Sequence, residues 1–146
     1  MLTVIQRVTH AKVVVDDETI GEISNGLLIL CGFEASDSQK TLLAMLDKCL
    51  KYRIFDDGQG KMNLSIRDAN AGLLLVPQFT LVADTARGLR PSFSKGAPPE
   101  QGNRLFTQLV AKAQNEYPMV ASGRFGANMQ VHLCNDGPVT FILRFE

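Results

Sequence analysis

The sequence predicts an α/β fold: a single compact, strand-rich domain in which mainly antiparallel strands form a barrel-like core, with two main helices. Three observations predict it. The chain has 146 residues, of which 45% are hydrophobic and 21% charged, as in a globular domain with a buried core. Short β-branched or apolar runs recur between turn residues, as strands do. Only two stretches show the spacing of an amphipathic helix. We therefore predict one domain over residues 1–146.

The beginning of the chain predicts a hairpin followed by a buried strand. Asp16-Asp17-Glu18 is a polar turn between β-branched stretches, so it is expected to join two antiparallel strands. The apolar run that follows is bounded by glycine, which is typical of a buried central strand. The strands predicted here are Leu2–Val8, Ala11–Val15, Thr19–Ile23 and Gly26–Phe33.

A helix and a short strand are predicted next. Ser36 and Asp37 can cap a helix that runs to about Lys51. The helix has apolar residues at helical spacing on one face, namely Leu42, Leu43, Leu46, Cys49 and Leu50. Tyr52–Phe55 is predicted to be a strand that ends at the turn residues Asp56-Asp57-Gly58.

A buried strand, a long loop and the second helix make up the middle of the chain. The strand Gly72–Val76 leads directly to Pro77. Residues 84–99 form a Gly- and Pro-rich loop whose charged residues after Asp84 are all basic: Arg87, Arg90 and Lys95. Pro98-Pro99-Glu100 suits a helix start, and Pro118 ends the helix. The apolar face of this helix contains Leu105, Phe106, Leu109, Val110 and Ala113.

Three strands are predicted at the end of the chain. They are Met119–Ser122, Met129–Asn135 and Val139–Phe145. Gly137-Pro138 is expected in a turn that joins the last two, because glycine and proline are turn residues.

Composition excludes several classes of function. Acidic and basic residues balance at 15 each, so no global field draws the chain to nucleic acid, and RNA binding requires a local basic surface. Three cysteines form an odd, sparse set that indicates reduced thiols. No apolar run could span a bilayer, and the N-terminal residues do not resemble a signal peptide. We therefore expect a cytoplasmic protein.

Conventional catalytic arrangements are mostly absent from the sequence. His132 and Cys134 share one face of a predicted strand, as half of a metal site or simply as neighbours on a sheet. Zinc needs three or four ligands and no second pair accompanies them, so we predict no metal and no cofactor. Gly58-Gln59-Gly60-Lys61 lacks the full phosphate-loop spacing and is better explained by a hairpin turn. Thr80 and Ser94 are hydroxyl nucleophiles in principle, but neither has an obvious base nearby in sequence.

Two segments carry a resemblance to a known family. Gln78-Phe79-Thr80-Leu81 and Asn135-x-Gly137-Pro138-Val139-Thr140 resemble the two signature segments of D-aminoacyl-tRNA deacylases. The similarity extends over nearly the whole chain. It includes Ile5-Gln6-Arg7-Val8, Tyr52-Arg53-Ile54-Phe55, Gly60-Lys61-Met62-Asn63, Arg90–Gly96 and Gly123-Arg124-Phe125. One departure is Pro77, where the family motif usually begins with serine. Proline offers no hydroxyl and no amide N–H. We therefore expect the main chain and side chains of residues 78–80 to supply the catalytic groups of this motif.

The resemblance implies hydrolysis of the ester that joins a D-amino acid to tRNA, and it leaves open whether glycyl-tRNA mischarged on tRNA-Ala is also cleaved. It implies a homodimer in which Gly137-Pro138 of one subunit enters the other subunit's site, with a cis peptide between the two residues. Their carbonyls would accept hydrogen bonds from the α-ammonium group of the substrate and leave no room for an L side chain. Backbone geometry would then test chirality, independently of which side chain arrives.

The residues of the two segments have these expected roles. Backbone N–H groups around Phe79 and Thr80 would stabilise the oxyanion as water attacks the ester; Thr80 as a covalent nucleophile is the alternative. Gln78 would orient the ester or hold the turn, and Phe79 would pack against adenine or fill the core. Arg7 would brace the incoming Gly-Pro loop or simply lie on the surface.

The predicted binding residues outside the motifs are basic. Arg87, Arg90 and Lys95 would contact phosphates of the acceptor stem or belong to a solvated loop. Two rival functions remain open, a nucleic-acid-binding module without catalysis and a hydrolase of small esters. The neutral charge disfavours the first, and the lack of a Ser-His-Asp pattern disfavours the second.

Overall fold

The computed structural model describes residues 1–146 as eight strands, two α-helices and one 3₁₀ turn. The strands are β1 (Leu2–Val15), β2 (Glu18–Ile23), β3 (Gly26–Gly32), β4 (Phe55–Asp56), β5 (Met62–Leu64), β6 (Gly72–Pro77), β7 (Val120–Ser122) and β8 (Gln130–Arg144). The helices are α1 (Gln39–Lys51) and α2 (Pro99–Glu116), and the 3₁₀ turn is Phe79–Val82. Neither helix combines the length and hydrophobicity that a membrane-spanning helix requires.

Six strands form one mixed sheet that curls into a nearly closed barrel. The order is β2-β1-β3-β6-β7, and β8 pairs with β1. β1 is antiparallel to β2, β3 and β8, whereas β6 is parallel to β3 and β7. β2 and β7 approach closely at the far edges, because a Cβ on Gly21 would lie 2.7 Å from the carbonyl oxygen of Ser122. The predicted strand-rich α/β fold with a barrel-like core and two helices is thus confirmed.

The sheet has a hydrophobic core on each face. Successive strand residues point to opposite faces, so Leu27 and Leu73 face the helices while Leu28 and Leu74 face the barrel interior. The helix-side core also contains Met45 of α1 and Leu109 of α2. The barrel core is smaller and lies between β1, β2, β3 and β6.

β8 contains a large bulge in place of the predicted turn. Val8 pairs with Asn135 and Gln6 with Thr140, so Arg7 alone lies opposite four residues of β8, Asp136–Val139. Both halves of β8 run antiparallel to β1, so the prediction of two strands joined by a turn is wrong. The turn-forming residues were identified correctly, but they bulge out because each half of β8 pairs with β1 rather than with the other half.

Several local predictions also need correction. Ser38, not Ser36 or Asp37, caps α1. Leu43 is exposed on α1, and Met45 is buried in its place. The predicted strand over Tyr52–Phe55 is reduced to β4, which pairs with β5 around the hairpin turn expected at Gly58–Lys61. The two predicted strands between Leu2 and Val15 form one continuous strand.

Candidate active site

The first motif lies where β6 leaves the sheet. Pro77 is the last residue of β6 and pairs with Cys31 in the parallel ladder with β3. The N–H of Gln78 donates to the Cys31 carbonyl at 2.7 Å, and the chain then enters the 3₁₀ turn at Phe79. The first N–H groups of such a turn have no partner within it. The N–H groups of Phe79 and Thr80 are therefore available to donate hydrogen bonds to a bound oxyanion.

A cavity of about 420 Å³ opens beside this motif. Its wall is mainly apolar and is made by Val76, Pro77, Gln78, Phe79, Ala97, Pro99, Phe125, Gly126, Ala127, Met129 and Val131. An apolar concave wall with a few polar groups is typical of a small-molecule site. The cavity could accommodate a planar ring together with a short polar segment.

Phe79 is held at the mouth of the cavity rather than in the core. Its side chain is 59% exposed, which shows that a core-filling role is wrong for this residue. The ring packs against Phe93 with centroids 5.1 Å apart and a tilt of 58°. This pair leaves an aromatic face available to a ligand.

Gln78 and Thr80 interact with each other. The side-chain amide of Gln78 donates to the hydroxyl oxygen of Thr80. Thr80 does not contribute to the cavity wall, whereas Gln78 does. This contact fits the hydrogen-bonding role for Thr80 better than the nucleophilic one. The histidines are on β1 and β8, with His132 exposed on the same face as Cys134.

The second motif is the bulge of β8, and its shape is fixed by Arg7. The Gly137–Pro138 peptide is cis, as expected, and both residues are exposed. Arg7 Nε donates to the carbonyl of Asp136 at 3.1 Å, and Nη1 donates to the carbonyl of Ile54 at 2.8 Å. Arg7 therefore braces the Gly-Pro segment of its own chain, through the carbonyl that precedes it.

Asn135 holds the bulge from the other side. Its Oδ1 accepts the N–H of Val139 at 2.6 Å, and its Nδ2 donates to the hydroxyl of Thr140 at 2.8 Å. The two bonds close the base of the bulge, so Gly137 and Pro138 project from a fixed frame. No role was predicted for the Asn135 side chain, although it begins the second motif.

The two motifs lie at separate positions along the sheet within one chain. Cys31 pairs with both Thr3 and Pro77, whereas Arg7 pairs with Leu27. Thr3 and Arg7 are four positions apart on β1, which is roughly 13 Å along the strand. None of the bulge residues contributes to the cavity wall. A single chain therefore does not bring the predicted site residues together.

The basic loop is tied back to the fold near the first motif. The N–H groups of Asp84 and Ser92 each donate to the other residue's carbonyl, at 2.7 and 3.0 Å. Lys95 Nζ lies 3.0 Å from the Asp84 carboxylate. The pKa of Asp84 is lowered, mainly by its hydrogen bond from the Ala86 N–H and secondly by Lys95. Arg87 and Arg90 are exposed, so the basic charge that reaches solvent here comes chiefly from the two arginines.

Several wall residues were missed because single-residue chemistry does not identify them. Phe125 in the cavity wall and Phe93, which packs against Phe79, lie within segments that carry the family resemblance, but apolar side chains in loops have no distinctive pattern. Gly126 has a φ of +78°, which favours glycine and turns the chain along the cavity wall.

Comparison with known proteins finds one family whose model covers both motifs. A family model described as D-Tyr-tRNA(Tyr) deacylase matches residues 4–144. The chain is 63% identical over 145 residues to the D-aminoacyl-tRNA deacylase of Legionella pneumophila (strain Lens), covering 99% of this chain and 100% of that protein. It is 56% identical over 143 residues to the enzyme of the same name from Pseudomonas aeruginosa (strain LESB58), covering 98% and 99%.

Solved structures agree with the fold. A structure titled c-Myc DNA Unwinding Element Binding Protein superposes with a TM-score of 0.93 at 38% identity, covering 99% of this chain and 98% of that one. A probable eukaryotic D-amino acid tRNA deacylase shares the fold with a TM-score of 0.78 at 18% identity, covering 97% of each chain. The match over 4–144 and the identity over full length confirm the resemblance seen in the motifs. The chain belongs to the D-Tyr-tRNA(Tyr) deacylase family.

Proposed function

We propose that the chain is a D-aminoacyl-tRNA deacylase, a hydrolase that cleaves the ester between a D-amino acid and the 3′-terminal adenosine of tRNA. The observation that carries the proposal is the pairing of a small apolar cavity beside Gln78 and Phe79 with a braced, exposed Gly-Pro bulge. Relatives at 56–63% identity over almost the whole chain are named for this activity. The reaction belongs in the cytoplasm, where aminoacyl-tRNA is made and used.

The site is completed by a second copy of the chain. The bulge is exposed and lies away from the cavity of its own chain, so it can enter the cavity of a partner in a two-fold homodimer. There the carbonyls around Gly137 and Pro138 accept hydrogen bonds from the substrate's α-ammonium group. The bracing by Arg7 and Asn135 keeps those carbonyls in place.

Chirality is selected by exclusion on the side of the bulge. With the ammonium group and the ester both held, the two enantiomers differ only in where the Cα substituent points. A rigid backbone occupies the position of an L side chain, so L-aminoacyl esters are rejected whatever their side chain. Glycyl esters have no such substituent and fit the same frame, which makes mischarged glycyl-tRNA a further substrate class.

The chemistry is attack by water on an ester that is already reactive. Water adds to the carbonyl carbon, the tetrahedral oxyanion is held by N–H groups of Phe79 and Thr80, and the ribose oxygen leaves with a proton. Each such donor stabilises the transition state by about 3–4 kcal/mol in enzymes where this has been measured. Gln78 orients the ester and holds the turn through Thr80. Pro77 takes no part as a donor or nucleophile.

Affinity for tRNA comes from local groups, since the chain is neutral overall. The exposed ring of Phe79 is available to the terminal adenine. Arg87 and Arg90, with Lys95, contact phosphates of the acceptor stem.

Matched D- and L-tyrosyl-tRNA test the proposal directly. Release of tyrosine is followed at equal enzyme and substrate concentrations, and the D ester is expected to be cleaved far faster. Equal rates for both enantiomers, or no release, would refute the proposal. Comparable rates on simple tyrosine alkyl esters would favour a small-ester hydrolase instead.

DNA binding is a second candidate because of one comparison. The structure titled c-Myc DNA Unwinding Element Binding Protein is similar to the chain along its whole length. The balanced charge disfavours a broad DNA-binding face. Titration with duplex DNA at about 0.15 M salt distinguishes the two, since this candidate requires tight binding that persists there.

A further inference from the structure

A basic and partly aromatic surface lies at the end of α1, outside the site described above. It consists of Lys48, Lys51, Tyr52, Arg53, Met62 and Phe141, and we call it the Lys48–Arg53 surface. These six residues contribute to the wall of an open cavity of about 580 Å³. Two of the segments that carry the family resemblance, around Arg53 and Met62, meet here, and the proposed chemistry uses neither.

The charge of this surface is positive. Lys48, Lys51 and Arg53 are all exposed. The one carboxylate in the cavity wall belongs to Asp47, and it pairs with Lys51 at 2.6 Å. In a chain whose charges cancel overall, such a surface attracts anions locally.

Arg53 is held in place in this surface, and the floor of the surface is partly aromatic. Arg53 donates from Nε to the Asn63 carbonyl at 3.0 Å and from Nη2 to the Asn63 side chain. Tyr52 and Phe141 pack edge to face with centroids 5.7 Å apart, and Lys48 Nζ lies 5.8 Å from the Tyr52 ring centre.

A helix end that is merely solvated explains only part of this arrangement. Lysines in the last turn suit the helix dipole. That does not account for a fixed arginine beside an exposed methionine. A fixed arginine and two exposed lysines beside apolar and aromatic groups match the sugar-phosphate chain of a nucleic acid.

The position of the surface connects it to the bulge. Ile54, in the same cavity wall, accepts a hydrogen bond from Arg7 through its carbonyl. Arg7 in turn donates to the carbonyl of Asp136 at the base of the bulge. A bulge that entered the partner's cavity would therefore bring this surface close to that cavity.

We propose that the Lys48–Arg53 surface of one protomer binds the acceptor-stem backbone of the tRNA whose ester occupies the partner's site. This inference rests on the proposed function. The RNA leaving the site would contact the loop with Arg87 and Arg90 in one subunit and the Lys48–Arg53 surface in the other. Each substrate would thus be held by both subunits.

The test compares two double variants that remove the same charge. Lys48→Gln/Lys51→Gln alters the surface, and Arg104→Gln/Lys112→Gln alters two exposed cations of α2 outside the cavity. Binding of uncharged tRNA is measured by fluorescence anisotropy across a salt series. The first variant is expected to weaken binding roughly tenfold and to reduce the log-log salt slope by about two, because two phosphate contacts are lost. The α2 variant and the charge-retaining Lys48→Arg/Lys51→Arg are expected to bind like the wild type.

A small substrate separates this inference from the function itself. Cleavage of 3′-O-D-tyrosyl-adenosine, which lacks the stem, is expected to be unchanged in Lys48→Gln/Lys51→Gln, while KM for D-tyrosyl-tRNA rises. If the wild type cleaves both esters but the variant binds tRNA normally, the surface assignment is wrong and the function stands. Equal losses in the α2 variant, or dissociation of the dimer instead of loss of RNA affinity, would also overturn it. If the wild type cleaves neither ester, the proposed function itself fails.

Discussion

Thr80 has the hydroxyl of a nucleophile but not the surroundings of one. Its oxygen accepts a hydrogen bond from Gln78, and it does not contribute to the cavity wall. A hydroxyl nucleophile needs a base to remove its proton, and Gln78 can only donate through this amide. The observed contact therefore suits a residue that supports the turn.

Thr80→Ala is expected to retain kcat/KM on D-tyrosyl-tRNA within about tenfold of the wild type, because a supporting hydrogen bond contributes roughly 1 kcal/mol. Loss of a true covalent nucleophile costs about a millionfold in enzymes that use one. Ser94→Ala, which alters another exposed hydroxyl of the same region, serves as the control. Capture of an acyl group on Thr80 by mass spectrometry would contradict this expectation.

Gly137 is constrained by conformation as well as by space. Its φ is +134°, and an added Cβ would lie 2.7 Å from Cγ2 of Val139. Gly60 has a φ of +79° but open space around it. The two glycines therefore separate the cost of the backbone conformation from the cost of the contact.

Gly137→Ala is expected to lower the free energy of unfolding by roughly 1–3 kcal/mol, and by more than Gly60→Ala, because strain and a contact add together. Thermal unfolding of both variants measures the difference. Activity should be lost in Gly137→Ala and kept in Gly60→Ala. If Gly137→Ala has a normal Tm and a normal rate, the bulge is more adaptable than its contacts indicate.

At the scale of elements, the bulge of β8 is held by its own flanks. Asn135 bonds across to Val139 and Thr140, while Arg7 bonds to Asp136. The first contact is local to β8 and the second comes from β1. We expect both to contribute to holding Gly137 and Pro138 in one position.

Asn135→Ala removes both local bonds and is expected to reduce kcat/KM on D-tyrosyl-tRNA by about ten- to a hundredfold, since misplaced groups lose orientation. The free energy of unfolding should fall by only about 1–2 kcal/mol. Asn115→Ala, at an exposed position of α2, is the matched control. Discrimination between D and L esters should weaken as well. Unchanged discrimination would show that the Asn135 bonds do not position the bulge.

Most elements could be predicted from the sequence, and the failures share a cause. The β1–β2 turn, the buried strands β3 and β6, and α2 follow from local periodicity and turn chemistry. Asn-Asp-Gly-Pro indicated a turn just as clearly, but local chemistry cannot show that both flanks of Gly137 pair with β1. The cap of α1 was misplaced because Asp37 instead binds the amino group of Met1 at 2.8 Å.

The candidate site divides in the same way. Gln78, Phe79 and Gly137 could be named from motifs, whereas the cavity wall at Phe125 and the clamp at Asn135 depend on contacts between distant segments. The separation of the two motifs within one chain could not be predicted from sequence, because it follows from strand register.

At the scale of the whole molecule, the two ends of the chain are joined through buried charge. The amino group of Met1 contacts Glu34 and Asp37 at 2.8 Å each, as well as the carbonyl of Phe145 at 2.9 Å. Glu34 also pairs with Arg144 at 3.2 Å. Its hydrogen bond with the ammonium group, together with Arg144, lowers the pKa of Glu34.

Glu34→Gln is expected to lower the free energy of unfolding by about 1 kcal/mol at pH 7. The folded pKa of Glu34 lies below the unfolded value, so this stabilisation is present above about pH 4.3 and is lost as pH falls through the folded pKa. The difference in the free energy of unfolding between the wild type and Glu34→Gln should therefore become smaller at acidic pH. Denaturant unfolding from pH 7 to 3 measures it, with the surface variant Glu116→Gln as control. A gap that stays constant would contradict the assignment.

A purified hybrid dimer tests the shared site. One subunit carries Gln78→Ala and the other Asn135→Ala. If each site combines the cavity of one chain with the bulge of the other, one of the two sites has no substitution and the other has both. The hybrid is expected to recover roughly half of the wild-type activity, although each parent dimer is impaired at both sites. Activity no higher than the parents would show that each site is built from one chain.

The bulge also has a consequence for which changes in length the chain can accept. Before it, Val131 and Leu133 point into the barrel core, and after it, Phe141 and Leu143 point into the helix-side core. One strand thus contributes side chains to both cores. The number of residues in the bulge between its two halves determines which side chains of the second half point into the helix-side core. Inserting or deleting one residue would turn Phe141 and Leu143 outward. Ordinary surface loops tolerate insertions and deletions. In this bulge, a change in length would prevent correct folding, whether or not it also affected activity.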